Sequence, residues 1–183
     1  MKIFRLVSVA VCSALVLWSC TQQQDSTSGN QQTQDPTGGL VGTWFSGGAD
    51  VAPLLRANPS FLVDSITATF NADNTYRVLT YARGLPVTTF TGTFTATRSD
   101  KDTLGARIYS IDLRQATPSV VRSQGIYVVQ TSVSPARMLY EVVQTETPAG
   151  IAPTVEGGFG SSRTTQGVPL VGTLSNIQVY RKR

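Results

Sequence analysis

The most regular feature of the chain is an alternation of residues with a period of two. It is clearest over residues 87–97, where nearly every position on one face is threonine and the opposite face carries Phe90, Gly92, Phe94 and Ala96. A period of two is that of a strand with one buried and one exposed face, as in antiparallel sheets. Gly92, at the centre of the strand, indicates a bend where a barrel or sandwich turns a corner.

Shorter alternating runs recur along the rest of the chain, separated by turn residues. They predict strands over 40–45, 65–70, 76–81, 107–113, 126–132, 137–145 and 176–181, with 120–123 as a further candidate. Residues 71–74 and 100–102 are predicted turns, and residues 50–56 one or two helical turns with Asp50 as N-cap and Pro53 in the first turn. Without sustained helical periodicity, this pattern predicts an all-β sandwich or an up-and-down barrel.

The segment between the last two predicted strands, residues 147–174, is rich in Gly and Pro and has no clear period. An irregular segment of this length in a compact domain is usually functional or mobile. Two interpretations stay open. The segment is either a lid across a barrel mouth, with Phe159 reaching in, or a passive surface excursion. A phosphate-binding loop is disfavoured because no strand–loop–helix context and no following Lys accompany the glycines.

The N-terminal residues differ in kind from the strands. Two basic residues, Lys2 and Arg5, precede an apolar run that ends at Trp18, which is typical of a signal peptide. As a helix the run would span only ~20 Å, short of a ~30 Å hydrocarbon core. Residues 21–39 contain no aromatic or aliphatic residue, so they predict a flexible linker. The predicted organisation is therefore 1–19 signal peptide, 20–39 linker and 40–183 β domain.

The end of the apolar run, Leu17-Trp18-Ser19-Cys20, resembles the lipobox of bacterial lipoproteins. The resemblance implies cleavage before Cys20, its acylation with chains such as palmitate, and anchoring to a membrane of the cell envelope. Thr21, in place of Asp, implies the outer membrane by analogy with enteric bacteria. Trp18 departs from the pattern, where a small residue is usual. The alternative is an ordinary secreted protein with an incidental Cys at its cleavage site.

Composition removes several classes of function. The chain has no His, which excludes Ser-His-Asp triads, Cys-His dyads and His-ligated metal sites. Loss of Lys2 and Arg5 lowers the formal charge from +4 by two, to +2, and the remaining basic residues form no stripe with interleaved aromatics. We therefore expect no nucleic-acid partner, and no catalytic residue, cofactor or metal.

A second resemblance concerns the β domain. Gly42-Thr43-Trp44, Asp73-Asn74-Thr75-Tyr76 and Gly92-Thr93-Phe94 are similar to motifs of bacterial lipocalin-like domains, over residues 40–98. The resemblance implies an antiparallel barrel of about eight strands with a possible apolar interior. It also implies that Trp44 closes one end of the barrel, with Arg181 of the last strand stacked on its ring.

Two functions are predicted from these features. The first is a lipid-anchored protein that binds a small apolar or amphipathic molecule without catalysis, in a cavity lined by Phe90, Gly92, Phe94 and Phe159. The alternative is a barrel filled by its own side chains, which binds another envelope protein through loops or strand edges. An open cavity of several hundred Å³ would separate the two.

Overall fold

The described residues contain eight strands, which form one closed antiparallel barrel. The computed structural model describes residues 35–146 and 150–183; the predicted signal peptide, Cys20 and most of the predicted linker lie outside them. The strands are β1 Gly42–Gly47, β2 Val63–Phe70, β3 Thr75–Ala82, β4 Thr88–Thr103, β5 Ala106–Thr117, β6 Val121–Gln130, β7 Arg137–Gln144 and β8 Gln178–Lys182. Each strand pairs with the next, and β8 pairs with β1. This confirms the predicted up-and-down barrel.

Within residues 35–146 and 150–183, helical structure is confined to single turns at one end of the barrel. The α-helix α1 spans Pro53–Ala57, with Pro53 in its first turn as predicted, but its N-cap is Ala52 and not Asp50. Short 3-10 turns occur at Gly48–Asp50 and Gly172–Leu174. Among the described residues, no helix is long and apolar enough to cross a membrane.

The hairpin between β4 and β5 differs from the sequence-based expectation. Residues 100–102, a predicted turn, lie inside β4, which stays paired with β5 through a register shift between Arg98 and Asp102. The chain reverses at Leu104 and Gly105, whose φ angles are 52° and 75°. Two-residue hairpins that match the strand twist require such positive angles, and glycine adopts them at no steric cost.

Trp44 closes one end of the barrel. It has no exposed surface, and its indole Nε1 donates a hydrogen bond to the Leu40 carbonyl at 2.7 Å. The cation over its ring is Lys182, with Nζ 5.2 Å from the ring centroid. Arg181 instead bonds Asp50, with Nε 3.0 Å from Oδ2. The residue over the Trp44 ring is therefore Lys182 and not the predicted Arg181. The two differ because neighbours on a strand point to opposite faces.

Residues 35–39, assigned to the linker from sequence, form a turn that packs against this end. The Asp35 carboxylate accepts hydrogen bonds from the amides of Thr37 and Gly39, each at 2.8 Å. The phenol of Tyr127, inside the barrel, donates to the Thr37 carbonyl at 2.7 Å. Residues 35–39 thus belong to the folded part of the chain and lie at the plugged end of the barrel.

Residues 150–170, called the strap below, pack on the outer wall of the barrel. Glu141 of β7 points outward, because its neighbours Tyr140 and Val142 face the interior, yet it has no exposed surface. Its Oε2 accepts a hydrogen bond from the Gly160 amide at 2.6 Å, and its Oε1 accepts bonds from the amide and hydroxyl of Ser162. One buried carboxylate thus satisfies three donors of an irregular segment.

Candidate functional site

A cavity of about 480 Å³ lies towards the end of the barrel opposite the Trp44 plug, an end called the mouth below. Its floor is formed by inward-facing side chains of β2, β7 and β8, namely Ile66, Tyr140, Val142 and Tyr180. Its rim comes from α1, the loop after it and the segment before β8, namely Leu54, Leu55, Phe61, Leu170 and Leu174. Among the described residues that line it, none is charged. The cavity is therefore an apolar recess.

A buried amide fixes the rim to the barrel. Gln178, at the start of β8, accepts a hydrogen bond from the Ala52 amide at 2.9 Å through Oε1. Its Nε2 donates to the Ser46 hydroxyl. The Leu54 amide, two residues further, donates to the Ser175 carbonyl at 3.0 Å. These bonds hold α1 beside the segment that precedes β8. The two sides of the rim, α1 and that segment, are therefore fixed relative to each other.

Two tyrosines supply polar groups to the cavity floor. The rings of Tyr140 and Tyr180 lie edge to face, with centroids 6.0 Å apart and planes at 86°. Neither phenol oxygen is among the buried, unpartnered side-chain atoms of the described residues, so both oxygens are open to the cavity that they line. Burial raises the pKa of both phenols well above the usual value of about 10. Both groups are therefore neutral donors across the physiological range.

Asn176 adds an amide to the cavity wall. Its Nδ2 donates a hydrogen bond to the Val142 carbonyl at 3.1 Å, which fixes the orientation of the amide. Its Oδ1 is buried and has no partner among the described residues. A buried acceptor in this state costs about 1–3 kcal/mol, so this wall is held in place at a cost to stability.

The structure corrects the predicted cavity lining in β4. Phe94 is a core residue with 2% of its surface exposed, and its ring packs edge-on against Phe70 at 5.3 Å. Gly92 leaves no free space, because a Cβ atom there would lie 2.1 Å from the Arg114 carbonyl oxygen. The register shift between Thr91 and Gly92 marks the bend that the glycine predicted. Phe90 is half-buried and is not part of the lining.

Phe159 does not reach into the barrel either. It lies in the strap next to Gly160, which is bound to Glu141 on the outer wall. The predicted lid with Phe159 as its inward residue is therefore corrected. A later part of the same connection does reach the mouth, where it contributes Thr164, Leu170 and Leu174 to the lining.

The floor residues that the sequence interpretation missed carried a usable signal. Met138, Tyr140 and Val142 alternate along the predicted strand 137–145, so one inward face could have been assigned to them. The rim residues Leu54 and Leu174 had no such signal, since they belong to single helical turns without a repeating pattern.

A second recess, of about 500 Å³, lies on the outer wall between β4, β5, β6 and strap residues 152–155. Its lining is largely polar, with Thr95, Thr97, Ser110, Asp112 and Gln124 among it. Arg122 bonds Asp112 at 2.5 Å, and this bond lowers the pKa of the Asp112 carboxyl. Because that carboxylate already has its partner, the mouth cavity is the better candidate site.

The fold and the cavity define a class of protein. The described chain is a closed eight-stranded barrel with an apolar cavity at one end, an architecture consistent with a binding or structural role. Among the described residues, no group of three or more acidic or thiol side chains could hold a metal ion. The chain matches no protein-family model, no curated protein and no solved structure. The functional argument therefore rests on the geometry of the site.

Proposed function

We propose that the protein binds a small apolar or amphipathic molecule, without catalysis, in the mouth cavity. The observation that carries this proposal is an apolar recess of about 480 Å³, within the ~300–1,000 Å³ range of small-molecule sites. Its position inside a hydrogen-bonded barrel makes it a preformed site, which lowers the ordering cost of binding.

The exposure of the interior tyrosines supports an open barrel. Tyr127, near the plugged end, has no exposed surface, whereas Tyr140 also faces inward and is only half-buried. The two residues are direct partners across β6 and β7, and of the two only Tyr140 lines the cavity.

The proposal places the protein in the cell envelope, anchored to a membrane through an acylated Cys20. This part rests on the lipobox resemblance. A Cys20→Ala precursor should lose its acyl mass and its partitioning into detergent. Wild-type protein without an acyl group at Cys20 would contradict the anchor.

A substitution that fills the cavity with a bulky side chain tests ligand binding. We expect Val142→Trp to weaken binding of the apolar probe N-phenyl-1-naphthylamine at least tenfold, or ~1.4 kcal/mol. Val120→Trp, the matched control at a residue that is 84% exposed, should bind as the wild type does. Titrations should use full chain from cell-free synthesis, so that no acyl chain occupies the cavity. Equal probe affinity in both variants would contradict the proposal.

A second candidate function has support from the mouth end. Several exposed large apolar side chains lie in the four connections there, namely Phe61, Leu62, Leu85, Val87, Val120, Val171 and Leu174. A contiguous apolar patch of more than a few hundred Å² is typical of a protein-interaction site, and the four connections bring these side chains to the same end of the barrel. If the wild-type chain binds no apolar probe, the interaction protein is the remaining candidate. Crosslinking from these loops to an envelope protein would then test it.

A further inference from the structure

We infer that the mouth cavity selects uncharged amphiphiles, whose hydroxyl, ester or amide group is bound by the phenols of Tyr140 and Tyr180 at its floor. This inference rests on the proposed function and specifies the chemistry of its ligand. It also fixes the ligand's direction, with the polar group inward and the apolar body towards the rim.

The first step is the state of the two phenols. Both side chains line the cavity, and neither phenol oxygen is among the buried, unpartnered atoms of the described residues, so both phenols are open to a ligand in the cavity. Tyr127, deeper in the barrel, is different because its phenol donates to the Thr37 carbonyl at 2.7 Å. Polar groups in a protein interior are normally hydrogen-bonded, and leaving one unpaired costs free energy. A ligand that fills the cavity must therefore supply hydrogen-bond acceptors for Tyr140 and Tyr180, because otherwise it would leave these donors unpaired.

The second step is the absence of charge. No charged side chain is among the described residues that line the cavity, so a bound carboxylate or ammonium group would be desolvated without a counter-ion. Desolvating an unpaired charge costs far more than desolvating a neutral polar group. Phenols held neutral by burial can donate to a hydroxyl, ester or amide oxygen, but they supply no positive charge.

The third step is the division of the cavity into a floor and a rim. The two phenols belong to β7 and β8, whereas the rim beside α1 is formed by Leu54, Phe61 and Leu174. An apolar chain therefore finds its matching surface at the rim. A polar group that accepts hydrogen bonds finds the two phenol donors at the floor.

A displacement experiment on the full chain, from cell-free synthesis, tests this inference. Bound N-phenyl-1-naphthylamine, the probe, is titrated separately with three competitors: 1-decanol, decanoate at pH 8 and decane. All three have a ten-carbon chain. We expect decanol to bind at least tenfold more tightly than decanoate. The double variant Tyr140→Phe/Tyr180→Phe should bind decanol about tenfold more weakly than the wild type does. Its affinity for the probe should equal that of the wild type. The matched control Tyr109→Phe, an interior tyrosine outside the cavity lining, should change neither.

The outcomes separate this inference from the proposed function. Probe binding together with equal affinity for decanol and decanoate, or with no effect of the double variant on decanol, would overturn the inference and leave the proposed function standing. No probe binding by the wild type would overturn both. If the double variant does not fold, Tyr140→Phe alone and the wild-type comparison of decanol with decanoate decide the matter.

Discussion

At the scale of single residues, the side-chain alternation of each strand decides which groups meet inside the barrel. In β8, Lys182 points inward over Trp44 and Arg181 points outward to Asp50. The sequence identified Trp44 as the plug and β8 as the strand that supplies its cation. It could not give the register, because both residues are basic and only the pairing of β8 with β1 distinguishes them.

Removing the Trp44 side chain should destabilise the fold by about as much as the truncation of any large core side chain does. Trp44→Ala deletes a fully buried indole and should lower the free energy of unfolding by about 3–5 kcal/mol. Arg181→Ala, which removes a partly exposed ion pair, should lower it by less than about 1 kcal/mol. Equilibrium denaturation in urea measures both. A loss below about 1 kcal/mol at Trp44 would show that the indole is not a core group.

A methyl group at Gly92 should destabilise the barrel. Its Cβ atom would lie 2.1 Å from the Arg114 carbonyl oxygen, so the backbone of β5 would have to move. We expect Gly92→Ala to cost about 1–3 kcal/mol, as overpacking usually does. Thr93→Ala, at the exposed neighbour, should change stability by less than about 0.5 kcal/mol. Thermal melts of both variants test this, and an unchanged melting temperature for Gly92→Ala would refute the close approach of the strands.

At the scale of elements, the strands were readable from the sequence and the irregular connections were not. The alternation located β2 and β3 within a few residues, because one buried face imposes a period of two. The position of the strap could not be predicted, because it depends on a contact between Glu141 in β7 and residues that follow it by about twenty positions. The mouth residues Leu54 and Leu174 come from such connections, which explains why they were missed.

Loss of the Glu141 carboxylate should release the strap and leave the barrel closed. Glu141→Ala removes the acceptor for the amides of Gly160 and Ser162, at a cost of about 1.5–3 kcal/mol for bonds to a charged group. We expect faster hydrogen exchange at those two amides and unchanged exchange in β2 and β3. Glu156→Ala, at an exposed strap residue, is the control. Unchanged exchange at Gly160 in Glu141→Ala would contradict the role of the carboxylate.

At the scale of the whole molecule, the barrel is a filled half joined to an open half. At the plugged end, three side chains have no exposed surface, namely Leu40, Trp44 and Tyr127. At the other end, Tyr140 and Tyr180 line an open cavity. The alternation predicted an all-β sandwich or barrel, and the lipocalin-like resemblance implied the closed barrel and its Trp44 plug. It did not place the cavity, because Phe94 and Gly92 look like cavity residues until the packing of Phe70 and the approach of β5 are known.

The buried tyrosines should make stability fall in alkaline solution. In the unfolded chain, tyrosines lose their protons near pH 10, whereas burial raises the pKa of Tyr140 and Tyr180 in the folded state. Above pH 10 the unfolded state thus binds fewer protons, so the free energy of unfolding falls as pH rises. Urea denaturation between pH 8 and 11 should show this decline. The Tyr140→Phe/Tyr180→Phe variant should show a shallower one, and an identical slope would contradict burial of these phenols.

The central claim is that the mouth cavity holds a ligand, and methyl NMR tests it most directly. A chain labelled with ¹³C at its Val, Leu and Ile methyl groups is titrated with 1-decanol. The account predicts that chemical shifts change at Leu54, Ile66, Val142 and Leu174, and that Ile126 on the outer wall and Leu40 in the plug stay unchanged. Shift changes confined to the outer wall or the exposed loops, with the cavity methyls unmoved, would contradict it.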